Sequence, residues 1–182
     1  MHQTYIALLK GINVGGHHIL KMEALRQYCE ELGWKNIKTY IQSGNIVFQT
    51  QESNPNILSQ QLEEKLAKHF DFPVPSLVLS VVELVEVFNH NPYIKMGDID
   101  IDKLYVSILS ALPDEESVEQ IDGGMFSPDE FTIIGRAIYL HVKDRISESK
   151  YSNTFFEKRF NTQVTTRNWK TITKLFELTN LP

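Results

Sequence analysis

The stretch YIALLKGINVGGHH, residues 5–18, joins an apolar run to a turn that is rich in glycine. The apolar run at residues 5–9 predicts a β-strand, and the helical spacing of apolar residues over 22–32 predicts a helix soon after the turn. A strand, a glycine turn and a helix N-terminus can together bind an anion, because free backbone N–H groups and the helix dipole converge there. The stretch therefore indicates where a functional site lies.

Working outward, the first half of the chain continues with alternating strands and helices. Apolar runs predict strands at residues 37–41, 46–48 and 77–79, and Ser43-Gly44-Asn45 predicts a turn that joins the first two in a hairpin. Asn54-Pro55 has the residue types of a helix start, with leucines at helical spacing after it. A short apolar helix over residues 82–88 ends this half.

The second half repeats this order of elements. Strands are predicted at residues 104–109, 131–134, 137–142 and 163–166, with a two-residue hairpin turn at Gly135-Arg136. Helices are predicted from Pro113 to near Gly123, after Ser152, and from about Asn168. The similarity between the halves lies in element order, because residue-level similarity is weak.

This doubled order predicts an α+β fold of two tandem ferredoxin-like modules, each a split β-α-β unit with a mostly antiparallel sheet and an extra helix. The modules are predicted to span residues 1–92 and 93–182. The competing prediction is one mixed sheet shared by both halves.

The split β-α-β topology brings two loops of the first module side by side. With strand order 4-1-3-2, strands one and two run the same way, so the loop after the first strand meets the hairpin after the second. Backbone amides, an amide side chain, a hydroxyl and imidazoles then converge, as a ligand pocket requires. The alternative is that the glycines only shape two tight turns. The ligand-binding residues predicted in these loops are Asn13, Gly15, Gly16, His17, Gln42, Ser43 and Asn45.

The junction at residues 165–169 predicts a further contribution to this site. Arg167 offers a planar fork of donors suited to carboxylate or phosphate, and Asn168 follows it, so both join the predicted ligand-binding residues. Residues 150–182 carry a net charge of +4, against −9 for residues 1–149. The alternative is that Thr166 or Asn168 caps the last helix while Arg167 pairs with an acidic residue.

Known catalytic and cofactor motifs do not match these loops. The turn lacks the Gly-Lys-Ser/Thr ending of a P-loop and the glycine spacing of a dinucleotide-binding fold. The six histidines lack metal-ligand spacing, and a single cysteine, Cys29, excludes an internal disulfide and a cysteine-built metal site. The sequence therefore predicts no metal and no cofactor, it assigns no catalytic residue, and it leaves enzymatic activity open.

The composition is that of an ordinary globular protein, with 42% hydrophobic and 23% charged residues. Apolar runs are too short to cross a bilayer, and the N-terminal residues lack the pattern of a signal peptide. We therefore expect a cytoplasmic protein that makes no membrane contact. The net charge of −5 disfavours nucleic acid as a partner, and association into a homodimer stays open.

Four segments resemble the motifs of one bacterial family: residues 5–16, 39–48, 139–141 and 166–171. Together they resemble the domain of unknown function 1697 family over nearly the whole chain. The resemblance implies an α+β fold and carries no activity with it. It also favours the glycine turn, the Gln-Ser-Gly-Asn hairpin and the Arg-Asn-Trp junction as parts of one shared site.

Two functions follow from these observations as alternatives. The first is binding of a small anionic ligand, a nucleotide or a phosphorylated metabolite, between the glycine turn and the hairpin. The second is a non-catalytic module that binds RNA or a protein through a sheet face, with Tyr105 and Tyr139 as its surface aromatic residues.

Overall fold

A computed structural model describes residues 2–97, 99–121 and 124–179. Within these residues the fold is mixed α+β, with two four-stranded antiparallel sheets and six α-helices. The chain divides into two compact units, one formed by the described residues of 1–86 and 174–182 and the other by those of 87–173. In the described part, every helix is too short or too polar to span a membrane.

The first sheet has the strand order β2-β3-β1-β4, and all of its neighbouring strands are antiparallel. The strands are β1 (Gln3–Leu9), β2 (Lys35–Tyr40), β3 (Asn45–Thr50) and β4 (Ser76–Ser80). Since β3 and β4 pair with opposite sides of β1, β1 is a central strand. β1 and β2 run in the same direction, and their last residues therefore lie at the same edge of the sheet.

Two helices, α1 (Met22–Glu31) and α2 (Pro55–Ala67), contribute to one apolar core with β1, β3 and β4. The largest side chain of this core is Trp34, whose ring stacks on Phe48 with centroids 3.6 Å apart. The predicted cap of α2 is confirmed, because the Asn54 side chain accepts a hydrogen bond from the Asn56 amide at 3.0 Å. A third helix, α3 (Val81–Asn89), follows β4 directly.

The second sheet has the strand order β6-β7-β5-β8, again antiparallel throughout. Its core is aromatic: the Phe131 ring meets those of Tyr151 and Phe156 edge-on, at centroid distances of 4.8 and 5.3 Å. The strands are β5 (Leu104–Leu109), β6 (Glu130–Ile134), β7 (Ala137–His141) and β8 (Val164–Asn168), and the helices are α4 (Glu115–Glu119), α5 (Asn153–Phe160) and α6 (Trp169–Leu178).

Equivalent backbone hydrogen bonds form at the end of the central strand in both sheets. The last residue of the central strand donates to the following hairpin in both, from Leu9 to the Gly44 carbonyl at 2.8 Å and from Leu109 to the Arg136 carbonyl at 2.9 Å. The next residue donates to the segment before the fourth strand, from Lys10 to the Pro75 carbonyl and from Ser110 to the Gln163 carbonyl. The similarity of the halves therefore extends from element order to individual backbone bonds.

A side-chain contact is repeated as well. Glu63 of α2 accepts a hydrogen bond from the Ser76 amide at 2.6 Å, and Glu157 of α5 accepts one from the Val164 amide at 3.0 Å. In each case a carboxylate on the second helix satisfies the first N–H of the fourth strand. The carboxylates lie thirteen and seven positions before the amides that they bind, and no sequence motif predicts contacts at these spacings.

Several elements differ from the sequence prediction at their ends; β2 spans Lys35–Tyr40, for example, so Ile41 lies outside the strand in which it was predicted. Helix α4 ends at Glu119, and its predicted end near Gly123 lies outside the described residues. No residue of this helix is fully buried, and Val118 packs partly buried against the core of the second unit. β8 runs on to Asn168, because Arg167 and Asn168 keep pairing with Val106 and Tyr105 of β5. The boundary between residues 92 and 93 stays a prediction.

The single cysteine provides a test of the first core. Cys29 is fully buried, and burial raises the pKa of its thiol to about 12. We expect the native protein to react with a thiol reagent at mildly alkaline pH only through unfolding, so the labelling rate should fall to the rate of opening. Labelling followed by absorbance, with urea-unfolded protein as the control, checks this, and rapid stoichiometric labelling of native protein would contradict the packing.

Candidate functional site

Three segments of the first unit meet where β1 ends, and we call this region the glycine edge. It comprises residues 10–21 after β1, the hairpin 41–44, and residues 68–75 before β4. Backbone bonds from Leu9 to Gly44 and from Lys10 to Pro75 hold the second and third segments against the first. Sequence analysis predicted the meeting of the first two segments and missed the third.

Asn13 locks the loop to the hairpin. Its side-chain Nδ2 donates to the Leu20 carbonyl at 2.9 Å and to the Gln42 carbonyl at 2.6 Å, while its Oδ1 accepts from the Leu20 amide at 2.9 Å. The residue has a φ of 55°, a left-handed conformation that asparagine tolerates better than most residues. The Asn13 amide is thus fully used in holding the edge together, which makes it a positioning residue.

The tip of the loop is a tight turn at residues 14–17. The His17 amide donates to the Val14 carbonyl at 3.0 Å, and Gly15 and Gly16 have φ values of 58° and 80°. Positive φ at both central residues is the form of a type I′ turn, for which two glycines are well suited. Both glycines are exposed, and within the described residues their amides have no hydrogen-bond acceptor.

The two imidazoles of the loop have different surroundings. His18 is anchored, with Nδ1 at 3.0 Å from the Gly11 carbonyl and its ring stacked on Phe72 at 4.3 Å. His17 is exposed, and its imidazole contacts no hydrogen-bonding group in the described part of the chain. Of the two, His17 is the one whose ring nitrogens are available to a ligand.

Among its polar side chains, the hairpin exposes that of Gln42. Asn45 is fully buried and its Nδ2 donates to the Tyr40 carbonyl at 3.1 Å and to the Ser43 hydroxyl at 2.9 Å. These bonds shape the hairpin from within, so Asn45 and Ser43 support the edge. Gln42, by contrast, is exposed at the tip. Its backbone carbonyl holds Asn13, and its side chain points to no partner among the described residues.

The glycine edge also exposes aliphatic side chains that sequence analysis did not single out. Val14 is 67% exposed, and Ile19 and Ile41 are about half exposed. Ile41 has a φ of 49°, an unusual conformation for a β-branched residue. The third segment contributes Phe72 beneath His18. The strand order would have placed that segment here, because β4 begins beside the end of β1.

Arg167 and Asn168 lie in β8 of the second unit. Arg167 is buried, its Nη1 donates to the Thr166 carbonyl at 2.9 Å, and burial lowers its pKa to about 10. The Asn168 side chain accepts from the Thr171 amide at 2.9 Å and so caps α6. The role of these two residues in ligand binding stays a prediction.

Of the two aromatic residues expected on an open sheet face, Tyr139 is buried and Tyr105 is partly exposed. Tyr139 is 1% exposed and its hydroxyl donates to the Val87 carbonyl at 2.9 Å. Tyr105 is partly buried against the aromatic core of the second unit. The buried Tyr139 ring cannot stack on a base, so the expectation of a surface aromatic residue is wrong for Tyr139, while for the partly exposed Tyr105 it stays a prediction.

Comparison with known proteins agrees with the family resemblance. A family model described as "Protein of unknown function (DUF1697)" matches residues 2–139. No curated protein sequence matches the chain. Among solved structures, the conserved bacterial protein SP0830 from Streptococcus pneumoniae is similar in fold, with a TM-score of 0.72 and 24% identity over 98% of this chain and 99% of that one.

Gly44 tests how tightly the hairpin packs on the loop. A Cβ at this position would lie 2.6 Å from the Leu9 Cβ and 2.8 Å from the Ile12 Cδ1, on a backbone with a φ of 70°. We expect Gly44→Ala to lower the free energy of unfolding by about 3 kcal/mol, through steric overlap in addition to backbone strain.

The matched control is Gly33→Ala, which has a φ of 81° and open space around the added methyl. It should cost only the strain of about 1 kcal/mol. Urea denaturation of both variants measures the difference, and equal losses would show that the hairpin does not pack as described.

Asn13 tests the lock between loop and hairpin. Asn13→Ala removes three hydrogen bonds and places alanine in a left-handed conformation, so we expect a loss of about 2–4 kcal/mol in unfolding free energy. Asn13→Gly keeps the conformation and loses the bonds, so it should fall between alanine and wild type. Asn56→Ala, on an exposed face of α2, is the control and should change stability by less than about 0.5 kcal/mol.

Proposed function

Because this chain belongs to the DUF1697 family, whose description names no activity, we propose from its own geometry that the glycine edge binds a small anionic ligand. The ligand class is a phosphate-bearing metabolite, such as a nucleotide or a phosphorylated small molecule. The proposal concerns binding, and it assigns no catalytic step, metal or cofactor.

The observation that carries the proposal is the exposed turn at residues 14–17. The amides of Gly15 and Gly16 lack an acceptor in the described chain, and the imidazole of His17 stands next to them. Backbone N–H groups of adjacent residues in a tight turn form a concave donor surface that suits a phosphate or carboxylate group. The absence of a Cβ on either glycine lets a ligand oxygen approach the backbone closely.

The charge around the turn also supports an anion. Residues 1–22 and 32–51, which include two of the three segments, contain lysine and histidine and no aspartate or glutamate. The whole chain has a net charge of −5, so this region is locally positive on an acidic protein. Local positive potential concentrates an anionic ligand and raises its rate of association.

The predicted site residues separate into two groups under this proposal. Gly15, Gly16, His17 and Gln42 would contact the ligand, since their donors are exposed. Asn13, Ser43 and Asn45 would position those groups, since their side chains bind the backbone or one another. Arg167 and Asn168 remain proposed contributors.

We also propose that both halves of the chain, residues 1–92 and 93–182, are ferredoxin-like modules that arose by duplication. The strand orders and the repeated hydrogen bonds support this assignment. A cytoplasmic location remains part of the proposal, motivated by the single buried cysteine.

Ligand binding is tested with inorganic phosphate and with ATP as probes, measured by calorimetry on the full chain. We expect saturable binding that His17→Ala and Gln42→Ala each weaken about 10- to 150-fold, the range for losing one hydrogen bond to a charged group.

The matched controls are His2→Ala and Gln51→Ala, two exposed residues next to the opposite ends of β1 and β3. These variants should bind as the wild type does. The proposal would be contradicted if neither probe binds at low salt, or if all four variants lose binding affinity equally.

A further inference from the structure

The second unit has an edge equivalent to the glycine edge, and its chemistry is opposite. We call it the acidic edge: residues 110–119 after β5 together with the hairpin turn 135–136. The same backbone bonds define it, from Leu109 to the Arg136 carbonyl and from Ser110 to the Gln163 carbonyl. The two edges therefore occupy the same place in their sheets.

The acidic edge carries a strong negative charge. Residues 110–119 include four carboxylates and no lysine or arginine. Asp114 caps α4 by accepting a hydrogen bond from the Ser117 amide at 2.8 Å. Hydrogen bonding to the Ser117 side chain, and then to its amide, lowers the pKa of the Asp114 carboxyl. Arg136 is the one cation of the hairpin turn, and its guanidinium donates to the Ser110 carbonyl at 3.1 Å. These residues have a net charge of −3, and Arg159 of α5 lies beside them, with its guanidinium donating to the Gln120 side chain at 2.9 Å.

An apolar groove of about 510 Å³ runs between α4 and the β6–β7 hairpin at this edge. Its lining includes the aliphatic residues Leu112, Val118 and Ile133 and the acidic residues Glu115 and Glu119. Leu112 is 71% exposed. A concave aliphatic surface beside carboxylates fits a partner that presents aliphatic side chains beside cations.

The glycine edge presents that combination. Val14, Ile19 and Ile41 are exposed there, and the three segments 10–21, 41–44 and 68–75 together carry three lysines and one acidic residue, Asp71. Val14 at the tip of the loop is 67% exposed, which is similar to the exposed fraction of Leu112.

We propose that the acidic edge of one molecule binds the glycine edge of a second copy of this chain. Aliphatic side chains of residues 10–21, with Val14 at the tip, would enter the groove beside Leu112. The lysines of the same segment, Lys10 and Lys21, would lie near Glu115 and Glu119. The contact is heterologous, since it joins two different surfaces, and each molecule has one of each. It does not depend on the proposed anion binding.

Sedimentation velocity over a concentration range up to about 0.5 mM tests the self-association. The wild type should form dimers or larger species as concentration rises, and about 1 M salt should weaken them because the complementary charges are screened. Val14→Glu and Leu112→Glu should each be monomeric, because each places a carboxylate in the apolar part of the contact.

Mixing the two variants provides the decisive readout. Each retains the surface that the other has lost, so an equimolar mixture should form a dimer while each variant alone does not. Association in the mixture also requires that both variants are folded.

Val82→Glu is the control, since Val82 is 70% exposed in α3, beyond the opposite end of the first sheet, and should behave as the wild type. A monomeric wild type across the range, a mixture that stays monomeric, or loss of association in Val82→Glu would each overturn the proposal.

Discussion

The backbone of β1 is hydrogen-bonded along both sides, to β3 and to β4, and the candidate site depends on where that strand ends. A central strand has no free edge, so the chain that leaves it must pass between its two neighbours. Leu9 and Lys10 complete the ladder by donating to Gly44 on one side and Pro75 on the other. These backbone bonds alone hold the loop 10–21 against the segments 41–44 and 68–75, and side-chain contacts add to them.

The sequence was sufficient to predict this framework because its signals are local and strong. Glycine pairs, Asn-Pro and apolar runs mark where strands and helices begin and end, and antiparallel pairing then limits the order of strands. The contact between residues 10–21 and 41–44 followed from that order, and the bond between Asn13 and the Gln42 carbonyl agrees with it. The role of Asn13 could not be predicted, because a side-chain bond across 29 residues leaves no periodic signal.

Other features escaped prediction for related physical reasons. Burial of Tyr139 depends on contacts outside its own strand, and alternation along a strand does not reveal what covers each face. The left-handed Ile41 contradicts the ordinary preference of a β-branched residue, so only the packed hairpin explains it. The opposite charges of the two edges can be read from the sequence. That the two edges occupy equivalent positions in their sheets follows only from the repeated backbone hydrogen bonds.

The backbone conformation of Ile41 has a consequence for the stability of the protein. A Cβ-branched side chain at a φ of 49° costs about 1–2 kcal/mol, a sizeable share of the stability of a small domain. Glycine or asparagine adopts that conformation at a lower cost in free energy. The hairpin is therefore less stable than the same backbone would be with either residue at position 41. Replacing Ile41 would therefore gain stability at the cost of an exposed aliphatic side chain, so stability and recognition compete at this position.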